Sequence, residues 1–368
     1  EFYLKNTILM LLTPELLYIS GIYSGIIMYK RTLEINLPQG QSAFLWGARK
    51  SGKSTYLKSR YPDSLRFDFL KTDLRMEIIK RPSLFRERIL ALEGDPRLKH
   101  PIILDEIQKV PAILDEIHWL IEEKGLSFLM CGSSARKLRR GHVNLLGGRA
   151  WRYEMFPLTY KEIGELNLLD ALNKGLLPSH YLNPMAGKSL KAYILDYLNE
   201  EIRNEGLVRN FPAFSRFLDA VAFTNGELAV WSNIASDCGI DAKTVKEYFQ
   251  ILNDTLLGHT VQPFSLAKSR QLISKTSKFY LFDVGVAGAL KKRFIEEERG
   301  AEFGAAFEHF ICMELFAYKS YTDKDFDISF WRTSTGLEVD FILGNGRIAI
   351  EVKGSSEVSG QMIRGIKA

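Results

Sequence analysis

Between residues 34 and 158, short apolar runs alternate with longer stretches whose apolar positions recur at helical spacing. Strands alternating with helices make a parallel sheet with crossover helices, so an α/β fold is expected here. The runs that read as strands are 43–46, 65–69, 102–105, 127–131 and 151–156. Phe156-Pro-Leu-Thr159 ends the alternation; residues 160–294 then read as mostly helical, and from Glu308 a helix gives way to two strands. Residues 355–368 read as a helix that stops in mid-pattern, so the last unit is expected to be incomplete as given. At 368 residues the chain exceeds the size at which a single core stops growing, which calls for two or three domains.

The first strand runs into Gly47-Ala48-Arg49-Lys50-Ser51-Gly52-Lys53-Ser54, which fits the pattern G-x-x-x-x-G-K-[ST] without a mismatch, and a helix is expected to begin over Ser54 and Thr55. Gly47 and Gly52 permit the tight turn that aims backbone N–H groups at a phosphate, Lys53 reaches the terminal phosphates, and Ser54 offers a hydroxyl to Mg2+. The helix N-terminus adds its own attraction for the anion. ATP with Mg2+ is therefore the expected cofactor pair. Downstream, Pro101-Ile-Ile-Leu-Asp105-Glu106 is an apolar strand ending in two acids. Asp105 can hold Mg2+ through water, and Glu106 can orient or deprotonate the attacking water.

The strand at 127–131 turns polar at Ser133 and Ser134. Either serine can sense the terminal phosphate, and either can equally cap a helix at 135–140. Arg149, after Leu145-Leu-Gly-Gly148, reads as an arginine finger directed at a neighbouring copy in a homo-oligomer, or as an ordinary exposed arginine. The cluster Arg136-Lys-Leu-Arg-Arg140 reads as a solvated helix face.

In the helical middle, Ala235, Gly239 and Val245 have the spacing of a short helix, a glycine turn and a second helix capped by Asp241. Val245, Tyr248 and Leu252 then face a core, leaving Lys243, Thr244, Lys246 and Gln250 outward, types that touch phosphates or base edges. Such a module serves protein contacts as well.

Near the end, Asn345-Gly346 is the preferred central pair of a two-residue hairpin turn. With that turn, Gly344 pairs with Arg347, Asp340 lies opposite Glu351, and Glu338 lies opposite Lys353. These four share one face, and Val339, Phe341, Leu343, Ile348, Ile350 and Val352 make the other. Directly opposed acids destabilise a hairpin by up to about 1 kcal/mol, and a bound divalent cation removes the repulsion.

Composition changes this picture little. With 46% hydrophobic and 25% charged residues the chain is ordinary globular protein, and a net charge of +5 permits an anionic partner without requiring one. Cys131, Cys238 and Cys312 are dispersed in apolar surroundings, which implies neither a disulfide framework nor a zinc site and points to a reducing, cytoplasmic setting. His118 and His309 read as helix residues. Residues 7–29 are almost wholly apolar and long enough to span a bilayer, and Lys5, Lys30 and Arg31 would leave the rest in the cytoplasm. Against a span, Glu15 is costly in hydrocarbon, and Met28-Tyr-Lys-Arg31 looks like a cytosolic start. Membrane contact is not expected unless the first 27 residues are native.

Asp340, Glu351 and Lys353 form D-x10-E-x-K, which resembles the core of restriction-endonuclease-like nucleases. The resemblance implies that the two acids bind Mg2+ and that Lys353 positions or activates water, with Glu308 in the place of an additional helical acid. More widely, Gly47 to Ser54, Leu104-Asp-Glu106, Cys131-Gly-Ser-Ser-Ala-Arg-Lys137, Gly148-Arg149, Phe279-Tyr-Leu-Phe-Asp-Val-Gly-Val286 and Glu338-Val-Asp340 with Glu351-Val-Lys353 resemble one prokaryotic family. These are AAA-type P-loop ATPases whose C-terminal region, of unknown function, combines a winged helix with a nuclease-like domain. The division that follows is an apolar helix at 1–27, an ATPase core at 28–158, a helical lid or linker at 159–225, a winged-helix-like unit at 226–300 and a nuclease-like unit at 301–368. The expected function is an ATP-hydrolysing switch coupled to DNA. The alternative is a regulatory ATPase with a silent C-terminal domain that binds a protein partner.

Overall fold

In a computed structural model of the chain, the structure describes residues 22–23, 26–27, 29–134, 136, 138, 146–198, 208, 210–264, 276–333, 335–355, 359–360, 362 and 364–367. Five strands, β1 Ser42–Trp46, β2 Arg66–Asp68, β3 Ile102–Asp105, β4 Phe128–Gly132 and β5 Ala150–Glu154, form the first sheet. Their order is β2-β3-β4-β1-β5, and every pairing is parallel. The bounds agree with the sequence reading to within two residues. Because β4 lies between β1 and β3, the loop after β1, the acids ending β3 and the polar tip of β4 emerge side by side at one sheet edge. That carboxyl-end edge is where open α/β sheets bind ligands.

The central strands β1, β3 and β4 are buried on both faces, which is why they are continuous apolar runs, whereas the edge strands β2 and β5 are partly exposed and carry charged residues. Helices α1 Lys53–Arg60, α2 Thr72–Lys80, α3 Ser83–Leu90 and α4 Ile113–Lys124 are its crossovers. Ile113, Ile117, Leu120 and Ile121 of α4 are buried at helical spacing, and the helix ends on Gly125 at φ 61. They join Phe44, Leu104 and Met130 on one face, while Leu45, Ile103 and Cys131 meet Leu33, Tyr56 and Leu57 on the other.

Further along come α5 Leu168–Lys174, α6 Ala186–Ala192, α7 Phe211–Phe223, α8 Trp231–Cys238 and α9 Ala242–Asp254. The antiparallel pair β6 Gly258–Pro263 and β7 Lys278–Leu281 follows, and Leu228 adds a single bridge to Lys278. The capping read from sequence is present: Asp241 accepts from Thr244 N, and Gly239 ends α8 at φ 63. Phe214 and Phe217 of α7 pack on Tyr248, and Phe217 packs on Phe249 of α9. One core therefore runs across residue 225, and it extends through Phe279, Phe282 and Tyr193 to Ala48 of the phosphate loop.

The chain closes with α10 Val284–Leu290, α11 Ala301–Tyr321, β8 Ile328–Arg332, β9 Glu338–Leu343 and β10 Ile348–Ile350. The second sheet has the order β10-β9-β8-β6-β7. β8 joins the hairpin in parallel through Ser329↔Gln262 and Phe330↔Pro263. One sheet thus crosses the expected boundary at 300, and the pairing satisfies an edge that would otherwise be bare.

The hairpin register is as read: Leu343 pairs with Ile348, Ile342 with Ala349 and Phe341 with Ile350. The turn is looser than the two-residue form. Gly344, Asn345 and Gly346 are all left-handed, at φ 60, 58 and 87, and Arg347 N donates to Leu343 O at 3.1 Å. The expected N-terminal helix is not what the described part shows, since Ile22–Tyr23 pairs antiparallel with Ile26–Ile27. β-branched and aromatic residues favour such pairing. Residues 1–21 lie outside the described residues, as does most of the basic cluster at 136–140. Among the described residues no helix is long and apolar enough to cross a membrane.

Candidate functional site

The loop between β1 and α1 is shaped by its glycines. A Cβ on Gly47 would lie 2.4 Å from Met155 O, and Gly52 adopts φ 97, so both positions favour glycine. Lys53 is 7% exposed, and its ammonium donates to Gly47 O at 2.6 Å and Ala48 O at 3.0 Å, folded onto the loop it serves. Outside the loop, Tyr193 Oη donates to Arg49 O at 3.2 Å and Lys50 Nζ lies 5.8 Å from the same ring. Thr55 is exposed on the first turn of α1.

Sheet register brings the acids to this loop. Ser54 Oγ donates to Asp105 Oδ2 at 2.7 Å, and Cys131, directly opposite Asp105 on β4, donates its thiol to Oδ1 at 2.8 Å. Burial, reinforced by Asp105, pushes the Cys131 thiol well above its ordinary range, so it remains a donor. Glu106 is left-handed at φ 60, and its Oε2 accepts from Gln108 Nε2 at 2.6 Å. The same Nε2 donates to Ser133 Oγ at 3.1 Å. A Cβ on Gly132 would lie 2.1 Å from Gln108 Oε1 and 2.9 Å from the Trp46 ring, so that glycine makes room for Gln108.

The two serines make different contacts. Ser133 turns towards Glu106 by way of Gln108. Ser134 accepts from Arg136 N at 3.0 Å and donates to Asp254 O at 3.3 Å, at the end of α9. Arg149 is not brought to this site within the chain. It precedes β5 at the sheet's opposite edge, where its carbonyl accepts from Ser42 N and its guanidinium pairs with Glu122.

A second group of charges joins α11, β7 and β9. Lys278, 3% exposed, places Nζ 3.1 Å from Glu308 Oε1 and 2.7 Å from Glu338 Oε1, and Tyr280 Oη donates to Glu308 Oε1 at 2.5 Å. Burial opposes the lysine's charge, but the two acids outweigh it and raise its pKa. Asp340 Oδ2 accepts from Val352 N at 2.7 Å, and Glu351 pairs with Lys353 at 2.6 Å. Burial, with Glu308 adding, pushes the Asp340 carboxyl above the usual carboxylate range. Glu308, Asp340, Glu351 and Lys353 are thus neighbours. Among the described residues, however, no three His, Cys, Asp or Glu side chains stand close enough to hold a metal ion. His309 is structural, with Nε2 on Leu281 O, and burial pushes its pKa down to about 3.

Gln108 and Lys278 carry no sequence motif, and Cys131, which opens the run 131–137, was not read as a partner of Asp105. Cys131 alone had a signal, since aligning the ends of two adjacent parallel strands sets it against Asp105.

Residues 39–164 match the family model described as an AAA domain. With the loop, the acids and the β2-β3-β4-β1-β5 order, that match is decisive. This segment has the parallel-sheet α/β fold of P-loop ATPases. Beyond the P-loop ATPase segment, residues 166–297 match a domain of unknown function (DUF8612), and residues 303–368 match another (DUF4143). An uncharacterized protein of Haemophilus influenzae is 21% identical over 297 residues, spanning 73% of this chain and 72% of that one. A solved Walker-type ATPase of Pyrococcus abyssi overlays with a TM-score of 0.44 at 14% identity, covering 68% of this chain and 90% of that one.

Proposed function

We propose that the chain is a Mg2+-dependent ATP-hydrolysing switch whose nucleotide state is read out on DNA by its C-terminal units. The observation that carries the reading is the alignment of Lys53, Ser54, Asp105 and Glu106 at one sheet edge, with Gln108 joining Glu106 to Ser133. The donor set suits ATP and Mg2+: a tight loop presents N–H groups, an ammonium rests on replaceable carbonyls, and a hydroxyl is already bonded to a carboxylate. When bound, the pair supplies the phosphoryl group and the cation that neutralises its charge. Lys53 would give up Gly47 O and Ala48 O for phosphate oxygens. Ser54 and Asp105 would hold the ion, and Glu106, held at Oε2, would orient the attacking water or take its proton. Arg149 is left the role of reaching a neighbouring copy.

Support for a winged-helix reading is the order of α7, the Leu228 bridge, α8, α9 and the β6/β7 hairpin. Lys243, Lys246 and Gln250 are exposed on α9, as a DNA-facing helix requires, whereas the Thr244 hydroxyl donates to Asp241 Oδ2 at 2.7 Å and the Gln250 amide to Asp254 Oδ1 at 2.8 Å. The test is binding to duplex DNA across a salt series. Wild type should bind with affinity falling as salt rises, and Lys243→Glu with Lys246→Glu should abolish it; no binding by wild type at low salt sinks the DNA half.

One observation favours the second reading, a regulatory ATPase with a silent C-terminal domain. The nuclease-like acids are occupied by Lys278, Lys353 and Val352 N rather than gathered on one point. DNA cut in Mg2+ by wild type and left intact by Asp340→Ala with Glu351→Ala would refute it.

A further inference from the structure

Arg31 lies before β1, and its side chain is 6% exposed. It joins four distant parts of the chain. Nη1 donates to Ser51 O at 2.7 Å, inside the phosphate loop. Nη2 donates to Phe156 O at 2.6 Å and to Tyr321 Oη at 3.0 Å, and it is 3.3 Å from Pro157 O. Nε is 3.0 Å from Glu162 Oε1, a carboxylate wholly buried at the start of the helix Tyr160–Ile163. Tyr321 is the last residue of α11, and its hydroxyl also accepts from Phe156 N at 3.0 Å.

The bond to Ser51 has a directional consequence. In a trans peptide plane the C=O of one residue and the N–H of the next point to opposite sides. Holding Ser51 O outward therefore aims Gly52 N–H inward, to the side on which a phosphate loop presents its donors. The guanidinium can do this only while its other nitrogens are fixed, and Tyr321, 290 residues away, fixes one of them.

We propose that Arg31 is a positioning residue for the bound nucleotide and that Tyr321 sets it, which makes the C-terminal helix α11 a working part of the phosphate site. This rests on the ATP reading above. Because coupling is reciprocal, nucleotide that orders the loop also strengthens the hold on α11.

The experiment compares full-length wild type, Lys53→Ala, Tyr321→Phe and Arg31→Lys for binding of a fluorescent ATP analogue with Mg2+, for kcat and KM, and for melting midpoint without nucleotide. Tyr321→Phe removes one hydroxyl and keeps the ring. It should weaken binding and raise KM by roughly 3- to 10-fold, the weight of one hydrogen bond, beside a lowered melting midpoint, because Phe156 N–H loses its acceptor as well. Arg31→Lys, which keeps the charge but cannot bridge, should act in the same direction and further. Binding and rates are read well below every midpoint, where all the variants are folded; unchanged affinity in both variants overturns the inference, and so does a fall in kcat with KM unchanged. If wild type binds no better than Lys53→Ala, the ATP reading itself fails.

Discussion

Ser134 Oγ donates to the main-chain carbonyl of Asp254 at 3.3 Å, and Arg136 pairs with the Asp254 carboxylate. The neighbouring Ser133 touches Gln108, which holds Glu106. Two consecutive serines at the tip of β4 therefore link the candidate water-activating acid to the end of the helix that carries Lys243 and Lys246.

Asp254→Ala should leave hydrolysis without DNA within about twofold of wild type and remove the DNA-stimulated part. Its half-buried pairing makes a stability cost of about 1 kcal/mol the expected background. Steady-state rates with and without duplex DNA read the effect, and unaltered stimulation would argue against the link.

Gln108→Leu keeps the bulk of the side chain and removes its amide. Without the Gln108 amide on Oε2 of Glu106, kcat should fall about 10-fold or more while ATP affinity stays within about threefold. Gly132→Ala should lower kcat too and cost about 1–3 kcal/mol by overpacking against Gln108 and Trp46.

Lys278→Met should cost about 1–3 kcal/mol, because it takes a buried cation away from Glu308 and Glu338, which keep Tyr280 Oη and Arg332 as partners. Lys353→Met, whose side chain is 37% exposed, should cost less than about 1 kcal/mol. Denaturant midpoints compare the two. Equal costs would show that the Lys278 cluster is solvated rather than buried.

Glu314 accepts from Tyr160 N at 2.9 Å, and burial raises its pKa from 4.5 to about 7. The folded chain thus keeps a proton that the unfolded chain gives up in this window. Stability should fall as pH rises from 4.5 to 7, by at most about 3 kcal/mol, and stay level above. Glu314→Gln should flatten that decline in melting curves taken across the range; an unchanged slope would assign it to other groups.

What was legible in the sequence is what is local or fixed by period. The loop from Gly47 to Ser54, the acids at Asp105 and Glu106, and the Asp241 cap each need only their neighbours. The β9/β10 register followed from Asn345-Gly346 and strand alternation, although Gly344 joined the turn. The bonds of Gln108 to Ser133 and Arg31 to Tyr321 span 25 and 290 residues, and no periodicity reports such distances. The sheet shared by β6 and β8 was invisible for the same reason. An apolar run such as Ile22–Ile27 suits helix or strand, and pairing, not pattern, decides it.

The decisive measurement is the Mg2+-dependent ATPase rate of wild type beside Lys53→Ala, each with and without duplex DNA. Wild type should hydrolyse ATP faster with DNA present, and Lys53→Ala should lose at least roughly 100-fold of the rate under both conditions. Equal rates for the two proteins would contradict the assignment of the loop beginning at Gly47 as the catalytic centre.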